Sequence, residues 1–406
     1  MNTKLFSPPK GIRALLAATA VVLVCIHLVS SRPEPAPEVP VNTGWVTIDG
    51  RRYHFSEEGT LTNGWIMEGG SRCYCGPDGA ALTGWQTIQG KQYYFGDDGL
   101  ALTGWQTIDE TQYYFLSDGA LATGKTEIDG TQYMLSDDGQ LRTGFVRHGD
   151  RLYFYKEDGT PVTGWFDHQG NRYYADTDGA IRTGWYKEGE YRYYFHPDGV
   201  MAVGENFVDG YPQYFTPKGI HITLVNPWHT LPADYKVDLV AIDDVYAVDR
   251  ACYVSLMQMM AACEEADHEP MICSAYRSQA DQQWLFDRKI RILMEDEGMD
   301  EETAREIGSM SVAVPGTSEH QLGLAVDIVS TDYYVLDDSQ ATTKTQQWLM
   351  EHCWEYGFIL RYPDNTSEIT GIIYEPWHYR YVGVDVAMEL RDLGITLEEY
   401  LGAVSH

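Results

Sequence analysis

Residues 318–327, SEHQLGLAVD, decide how the C-terminal half of this chain folds. Leu324 to Val329 is an apolar run broken only by Asp327, which predicts a buried strand presenting one carboxylate. A carboxylate in that setting costs on the order of a few kcal/mol unless it is paired or holds a metal. His320 precedes it by seven residues, on the segment entering the strand. A second stretch, Glu375–His378 (EPWH), puts His378 at the start of another strand, with Glu375 three residues earlier and Pro376 stiffening the turn. Taken singly, HxxxxxxD and ExxH are weak patterns. Together they supply two imidazoles and a carboxylate, a set that suits Zn2+ with one position open to water. Such an ion lowers the pKa of its water to ~7, and the spare Glu375 is placed to take the proton.

Working outward, the surrounding residues predict an ordinary α+β domain. Helices are expected over Tyr246–Ala266, Gln279–Met294, Glu301–Ser309, Thr343–Tyr356 and Val384–Leu393. Strands are expected over Met271–Ser274 and Phe358–Arg361, and a hairpin over Ile369–Tyr374 and Trp377–Val382, turning at Glu375-Pro376. The acidic run Glu295, Asp296, Glu297, Asp300, Glu301, Glu302 reads as the solvated turn of a helix-loop-helix. His229, His268 and His352 lie outside the two motifs, and Arg380 beside His378 is expected to pair with an acid. No serine of the C-terminal half occupies a GxSxG or SxxK setting, which disfavours serine-based catalysis.

Upstream, glycine recurs every 20 residues from Gly44 to Gly204, and a second series runs from Gly59 to Gly219, usually preceded by Asp. Asp-Gly predicts tight turns, and aromatic runs such as Tyr93-Tyr94-Phe95 lie between the two glycines. Each unit reads as a short aromatic β-hairpin that must stack on its neighbours, so the first half is expected to be an all-β repeat solenoid. Trp45, Trp65, Trp85, Trp105, Trp165 and Trp185 follow the first glycine, whereas Lys125, Phe145 and Glu205 replace Trp in three units. Most of these rings belong to the solenoid's own packing. Trp85, Trp105, Trp165 and Trp185 are the candidates to offer a flat face to a glycan.

The net charge of -31 and the lack of a basic patch exclude nucleic acid and anionic lipid as partners. Lys4, Lys10 and Arg13 precede an apolar run over Ala14–Val29, followed by a Pro-rich stretch. That order predicts an export signal or signal-anchor over residues 1–31, with a spacer over 32–41 joining it to the repeats. Cys73 and Cys75 would share one face of a strand, and Cys252, Cys263, Cys273 and Cys353 read as buried thiols rather than disulfides.

Thr83–Trp105, TGWQTIQGKQYYFGDDGLALTGW, resembles the cell-wall-binding or glucan-binding repeats of Gram-positive surface proteins, and the resemblance covers residues 42–222. The related choline-binding repeats place Trp before the tyrosine pair, where this chain has Arg52, Gln92, Gln112, Gln132 or Arg172. SAYRSQADQ (274–282), PGTSEHQLGLAVDI (315–328), YGFILRYP (356–363) and ITGIIYEPWHYRYVG (369–383) resemble the VanY-like zinc D-alanyl-D-alanine carboxypeptidases and related L,D-carboxypeptidases. The resemblance spans nearly all of residues 223–402, within a catalytic domain expected over 223–406. It implies that His320, Asp327 and His378 bind Zn2+, that Glu375 is the general base, and that Arg277 steadies an oxyanion or a substrate carboxylate. Ser318, Gln282 and Ser274 fall on polar positions of the same motifs and are expected to contact substrate. The implied substrate is the peptidoglycan stem peptide. The solenoid would hold wall glycan or polymer, and the N-terminal segment would meet the membrane. An endopeptidase cutting within the stem, and a wall-binding adhesin, are the alternatives.

Overall fold

The computed structural model describes residues 43–232 and 235–404. The expected export segment (1–31) and spacer (32–41) lie outside the described residues. Among the described residues no helix is long and apolar enough to cross a membrane. The chain forms two compact units. One comprises the described residues through Gln106 with Tyr114–Leu121, the other Thr107–Tyr113 with everything described from Ala122 onward.

In the first unit, five-residue strands pair as antiparallel hairpins, such as Gly84–Ile88 with Lys91–Phe95. The hairpin turn is not the Asp-Gly of the second glycine series, as expected, but falls nine residues earlier, at Gln89-Gly90 rather than Asp98-Gly99. Gln89 and Gly90 both have positive φ, 52° and 79°, the geometry of a type I′ turn. The Asp-Gly pair makes a second turn. There Leu100 N–H donates to Asp98 Oδ1 at 3.0 Å, and the chain folds back so that Ala101 bridges Phe95. Tyr93 then bridges Ala120 of a following repeat, and Ile88, Tyr93, Phe95, Ala101 and Ala120 close a small core. Cys73 and Cys75 are both buried, as their shared strand face requires.

The second unit carries further hairpins from Gly124–Ile128 to Tyr211–Phe215, and the last gains a short third strand, His221–Ile222. Packing does not break where the repeat pattern ends at 222–223. Tyr214, Ile220 and Ile222 share one cluster with Val382, Val386, Leu390 and Leu401.

The α+β region runs α1 (Arg250–Glu265), β1 (Pro270–Ser274), α2 (Gln279–Glu295), α3 (Glu301–Ser309), β2 (Ala325–Ser330), α4 (Lys344–His352), β3 (Phe358–Leu360), α5 (Ser367–Thr370), β4 (His378–Tyr381), α6 (Val384–Leu393) and α7 (Leu397–Leu401). The four strands form one antiparallel sheet in the order β1-β2-β4-β3. Its apolar face packs on α1 and α4 through Leu256, Met259, Val326, Ile328, Leu349 and Tyr379.

Three expectations are corrected. The first helix starts at Arg250, not Tyr246, because Asp249 caps it and Ala247–Asp249 pair as a strand with Leu239–Ala241. The helix over Thr343–Tyr356 stops at His352 and tightens into a 3₁₀ turn over Cys353–Tyr356. No hairpin forms around Glu375-Pro376. Residues 367–370 make a helical turn ended by Gly371 (φ 76°), and the following segment crosses to other partners, with Ile373 N–H on Met310 O and Glu375 N–H on Tyr362 O. β4 therefore pairs with β2 and β3. Cys252, Cys263, Cys273 and Cys353 are free thiols.

Candidate metal centre

Sheet register assembles the centre. Ser274 of β1 lies opposite Asp327 of β2, and Asp327 opposite His378 of β4, so the three share one face of adjacent strands. His320 reaches the same place from a 3₁₀ turn over Glu319–Leu322. Gly323 ends that turn at φ 71°, where a Cβ would lie 2.7 Å from Val237 Cγ1 and 3.0 Å from Asp249 N. Only glycine fits both the conformation and the space.

One nitrogen or carboxylate oxygen from each of His320, Asp327 and His378 lies within 4.8 Å of the others, and all three residues are buried. His320 Nε2 is 3.2 Å from Asp327 Oδ2, and His378 Nδ1 is 3.1 Å from Asp327 Oδ1. His320 Nδ1 sits 2.8 Å from the Ala275 carbonyl, so that nitrogen carries the ring proton and Nε2 turns a lone pair toward the carboxylate. Two acceptors face each other there, which is unfavourable unless a cation lies between them. Burial, helped by Arg277, also pulls the His320 pKa down to about 4, keeping the ring neutral as a ligand must be. The residues present therefore fit a divalent metal.

Glu375 Oε2 is 3.6 Å from His378 Nδ1. Burial lifts its carboxyl to about 8, with Asp327 and Glu319 adding to the rise and His378 and Arg277 opposing it. Arg277 Nη2 donates to Asp327 Oδ2 at 3.1 Å. A cavity of about 400 Å³ is lined by Arg277, Ser318, His320, Asp327, Glu375 and His378, with Trp377, Ile372 and Leu336 giving it apolar wall.

Ser274 and Gln282 do not line this cavity. They stand behind Arg277: Nε donates to Ser274 Oγ at 3.1 Å and Nη1 to Gln282 Oε1 at 3.0 Å. Gln282, fully buried, is itself held through Nε2 on the Ala313 carbonyl at 2.7 Å. They aim the guanidinium rather than face a substrate.

Sequence reasoning missed Glu319. Its Oε2 lies 3.4 Å from His378 Nε2, and its Oε1 accepts from Arg361 Nε and Arg380 Nη1, both at 2.8 Å. The pairing of Arg380 with an acid was expected, but its partner was not. Arg361 also pairs with Glu398, which accepts from Asn226 Nδ2 at 2.9 Å. Burial alone would raise the Glu319 carboxyl; Arg361 and Arg380, with His378, reverse this and hold it well below the usual range. Burial likewise lowers His378, but hydrogen bonds to Asp327 and Glu319 lift it to about 9. The charge that draws a proton onto this ring also favours a cation beside it.

Among the tryptophans, Trp85 and Trp105 are 39% and 38% exposed. Trp85 packs on Tyr94 and Trp105 on Tyr114, while Trp165 and Trp185 each also lie under a guanidinium. Arg172 lies 5.0 Å over the Trp165 ring and Arg192 4.5 Å over Trp185, while their indole N–H groups donate to Glu188 and Asp209.

The region that carries this cluster is similar to known proteins. The profile described as VanY, D-alanyl-D-alanine carboxypeptidase, matches residues 246–384. The chain is 35% identical over 194 residues to the putative carboxypeptidase YodJ of Bacillus subtilis (strain 168), covering 45% of this chain and 67% of that one. The chain belongs to the VanY carboxypeptidase family. To a D-alanyl-D-alanine carboxypeptidase of Enterococcus faecalis this VanY-family chain is 37% identical over 180 residues, covering 44% of this chain and 65% of the relative, so it spans less than two thirds of that protein. A solved vancomycin resistance D,D-pentapeptidase VanY in complex with Zn(II) is 38% identical, with TM-score 0.41, over 44% of this chain and 97% of that one. Ahead of the VanY region, a putative cell wall binding repeat profile matches residues 43–61, 83–101, 163–181 and 183–201, and a choline-binding repeat profile matches 102–145.

Proposed function

We propose that this protein removes the C-terminal D-alanine from peptidoglycan stem peptides, using Zn2+ held by His320, Asp327 and His378. The observation that carries the reading is the cluster of those three ligand atoms within 4.8 Å, with Glu375 and Arg277 on the same cavity. Two imidazoles and one carboxylate suit zinc better than the hard, oxygen-seeking cations. Bound there, Zn2+ would polarise the scissile carbonyl and lower the pKa of a water.

The chain's own residues do the rest. Glu375 accepts the proton of the attacking water and returns it to the leaving amine. Arg277 is held by Ser274, Gln282 and Asp327 so that its guanidinium faces the cavity with little freedom to lose. A planar donor fork in that place suits the terminal carboxylate of the peptide or the oxyanion as it develops. Ser318 offers a further hydroxyl, and Trp377, Ile372 and Leu336 give methyl side chains an apolar wall.

The repeats would hold the enzyme on wall polymer, with Trp85 and Trp105 as the glycan faces, and residues 1–31 would export or anchor it. The division of labour we propose is 42–222 for wall binding and 223–406 for catalysis. The test is mass analysis of products from a stem pentapeptide and a tetrapeptide incubated with zinc and the full chain. Loss of one D-alanine from the pentapeptide supports the reading. Loss from the tetrapeptide alone would make it an L,D-carboxypeptidase, cleavage inside the stem an endopeptidase, and no cleavage would defeat the proposal.

A further inference from the structure

A second cavity, about 390 Å³, lies between the last hairpin and the segment that follows it. Arg192, Tyr211, Gln213, His221, Trp228 and His229 line it. Its size matches the metal cavity and falls within the range of small-molecule sites, roughly 300–1,000 Å³. Tyr211 and Trp228 leave 50% and 47% of their surface open, so two large rings face a cavity without serving as core. Polar groups sit beside them. His221 Nε2 and Gln213 Oε1 are 2.7 Å apart, which leaves the Gln213 amide hydrogens for another partner. The Arg192 guanidinium is held in place over Trp185.

The segment lining this cavity contacts two stretches of chain that lead into the metal cavity. Leu231 N–H donates at 2.8 Å to the carbonyl of Gly316, two residues before Ser318. A Cβ on Gly371 would lie 2.6 Å from Pro227 Cγ and 3.2 Å from the Trp228 ring, and Ile372, the next residue, lines the metal cavity. Residues 227–231 therefore touch two segments, at Gly316 and Gly371, that lead into the metal cavity. They are also rigid: Asn226 Oδ1 accepts from the N–H groups of Trp228 and His229 at 3.1 and 3.0 Å, while its Nδ2 is tied to buried Glu398.

We propose that this cavity is a saccharide subsite, taking an N-acetylated amino sugar of the glycan strand whose stem peptide enters the metal cavity. The proposal rests on the stem peptide being the substrate. Aromatic faces beside amide and guanidinium donors match a ring that is apolar on its C–H faces and rich in acceptors at its edge. Arg192 disfavours a cationic ligand such as a quaternary ammonium. A sugar and its pendant peptide are joined covalently, so filling both cavities would engage one polymer at two points and raise its effective concentration at the metal.

The test is calorimetric titration of the full chain with a peptide-free disaccharide of N-acetylglucosamine and N-acetylmuramic acid, a readout independent of turnover. Wild-type protein is expected to bind, and Tyr211→Ala and Gln213→Leu each to weaken binding by about tenfold, roughly the worth of one stacking or polar contact. Phe207→Ala is the control, since Phe207 is 77% exposed on the same hairpin and outside the cavity. Absence of disaccharide binding, or binding lost in Trp85→Ala/Trp105→Ala and kept in Tyr211→Ala, would overturn the proposal. Binding retained without any D-alanine release would strike at the proposed activity and leave the saccharide subsite standing.

Discussion

Glu319 Oε2 lies 3.4 Å from His378 Nε2, on the side of the imidazole opposite Asp327. One ring is thus gripped from both nitrogens, with Nδ1 aimed into the metal cluster and Nε2 against a carboxylate that is itself clamped by Arg361 and Arg380. Such a carboxylate–histidine pair fixes the ring's tautomer and strengthens it as a ligand. Glu319→Gln keeps the shape and removes the charge. It should lower zinc affinity by about 10- to 100-fold, read by competition with a chromophoric chelator, while the circular dichroism spectrum stays native. Unchanged affinity would mean that His378 needs no such support.

The same carboxylate should set the acid limit of the fold. Glu319 is held well below its ordinary range when folded, so its contribution is complete above its unfolded pKa of about 4.3 and is lost as pH falls through the folded value. Denaturant unfolding between pH 7 and 3 should show stability declining below that point in the wild type and a shallower decline in Glu319→Gln. Arg361→Met should be more severe, because it leaves Glu319 and Glu398 buried with less compensation. A loss of about 3–5 kcal/mol is expected for breaking such a pair.

Gly323 offers a test of the turn that presents His320. Gly323→Ala must place a methyl against Val237 and the Asp249 backbone in a left-handed conformation. It should destabilise the protein by about 1–3 kcal/mol and reduce zinc affinity, since the turn can relax only by moving His320. Thermal melts with and without zinc would separate the two effects. A variant as stable and as tight as wild type would contradict the assigned role.

For the repeats, the account predicts unequal tryptophans. Trp85→Ala with Trp105→Ala should reduce retention on isolated sacculi more than Trp165→Ala with Trp185→Ala, because Arg172 and Arg192 already cover the latter pair. Equal losses in a co-sedimentation assay would show that the guanidiniums give way to ligand.

Legibility in the sequence followed how local each constraint is. Asp327 could be read because a carboxylate in an apolar strand needs an explanation within a few residues. The repeat solenoid could be read because its period is written nine times. The turn within each repeat could not, since Asp-Gly marks one of two turns and a pair as ordinary as Gln89-Gly90 makes the other. Glu319 was invisible for a different reason. Beside His320 it looks like any polar loop residue, and its burial depends on Arg361 and Arg380, 42 and 61 positions away. The false hairpin at 369–382 arose because β4 takes its partners from β2 and β3, a choice made by the whole sheet. Gln282 and Ser274 share motifs with Arg277, yet only the side-chain geometry puts them behind it.

The central claim is that Glu375 works as a base beside a zinc held by His320, Asp327 and His378. Its most direct test is Glu375→Gln in the full chain, with bound zinc and D-alanine release from a stem pentapeptide measured on the same sample. The account predicts about one zinc per chain, as in the wild type, because the three protein ligands are intact, and no detectable release of D-alanine. Turnover persisting in the zinc-loaded variant would contradict it.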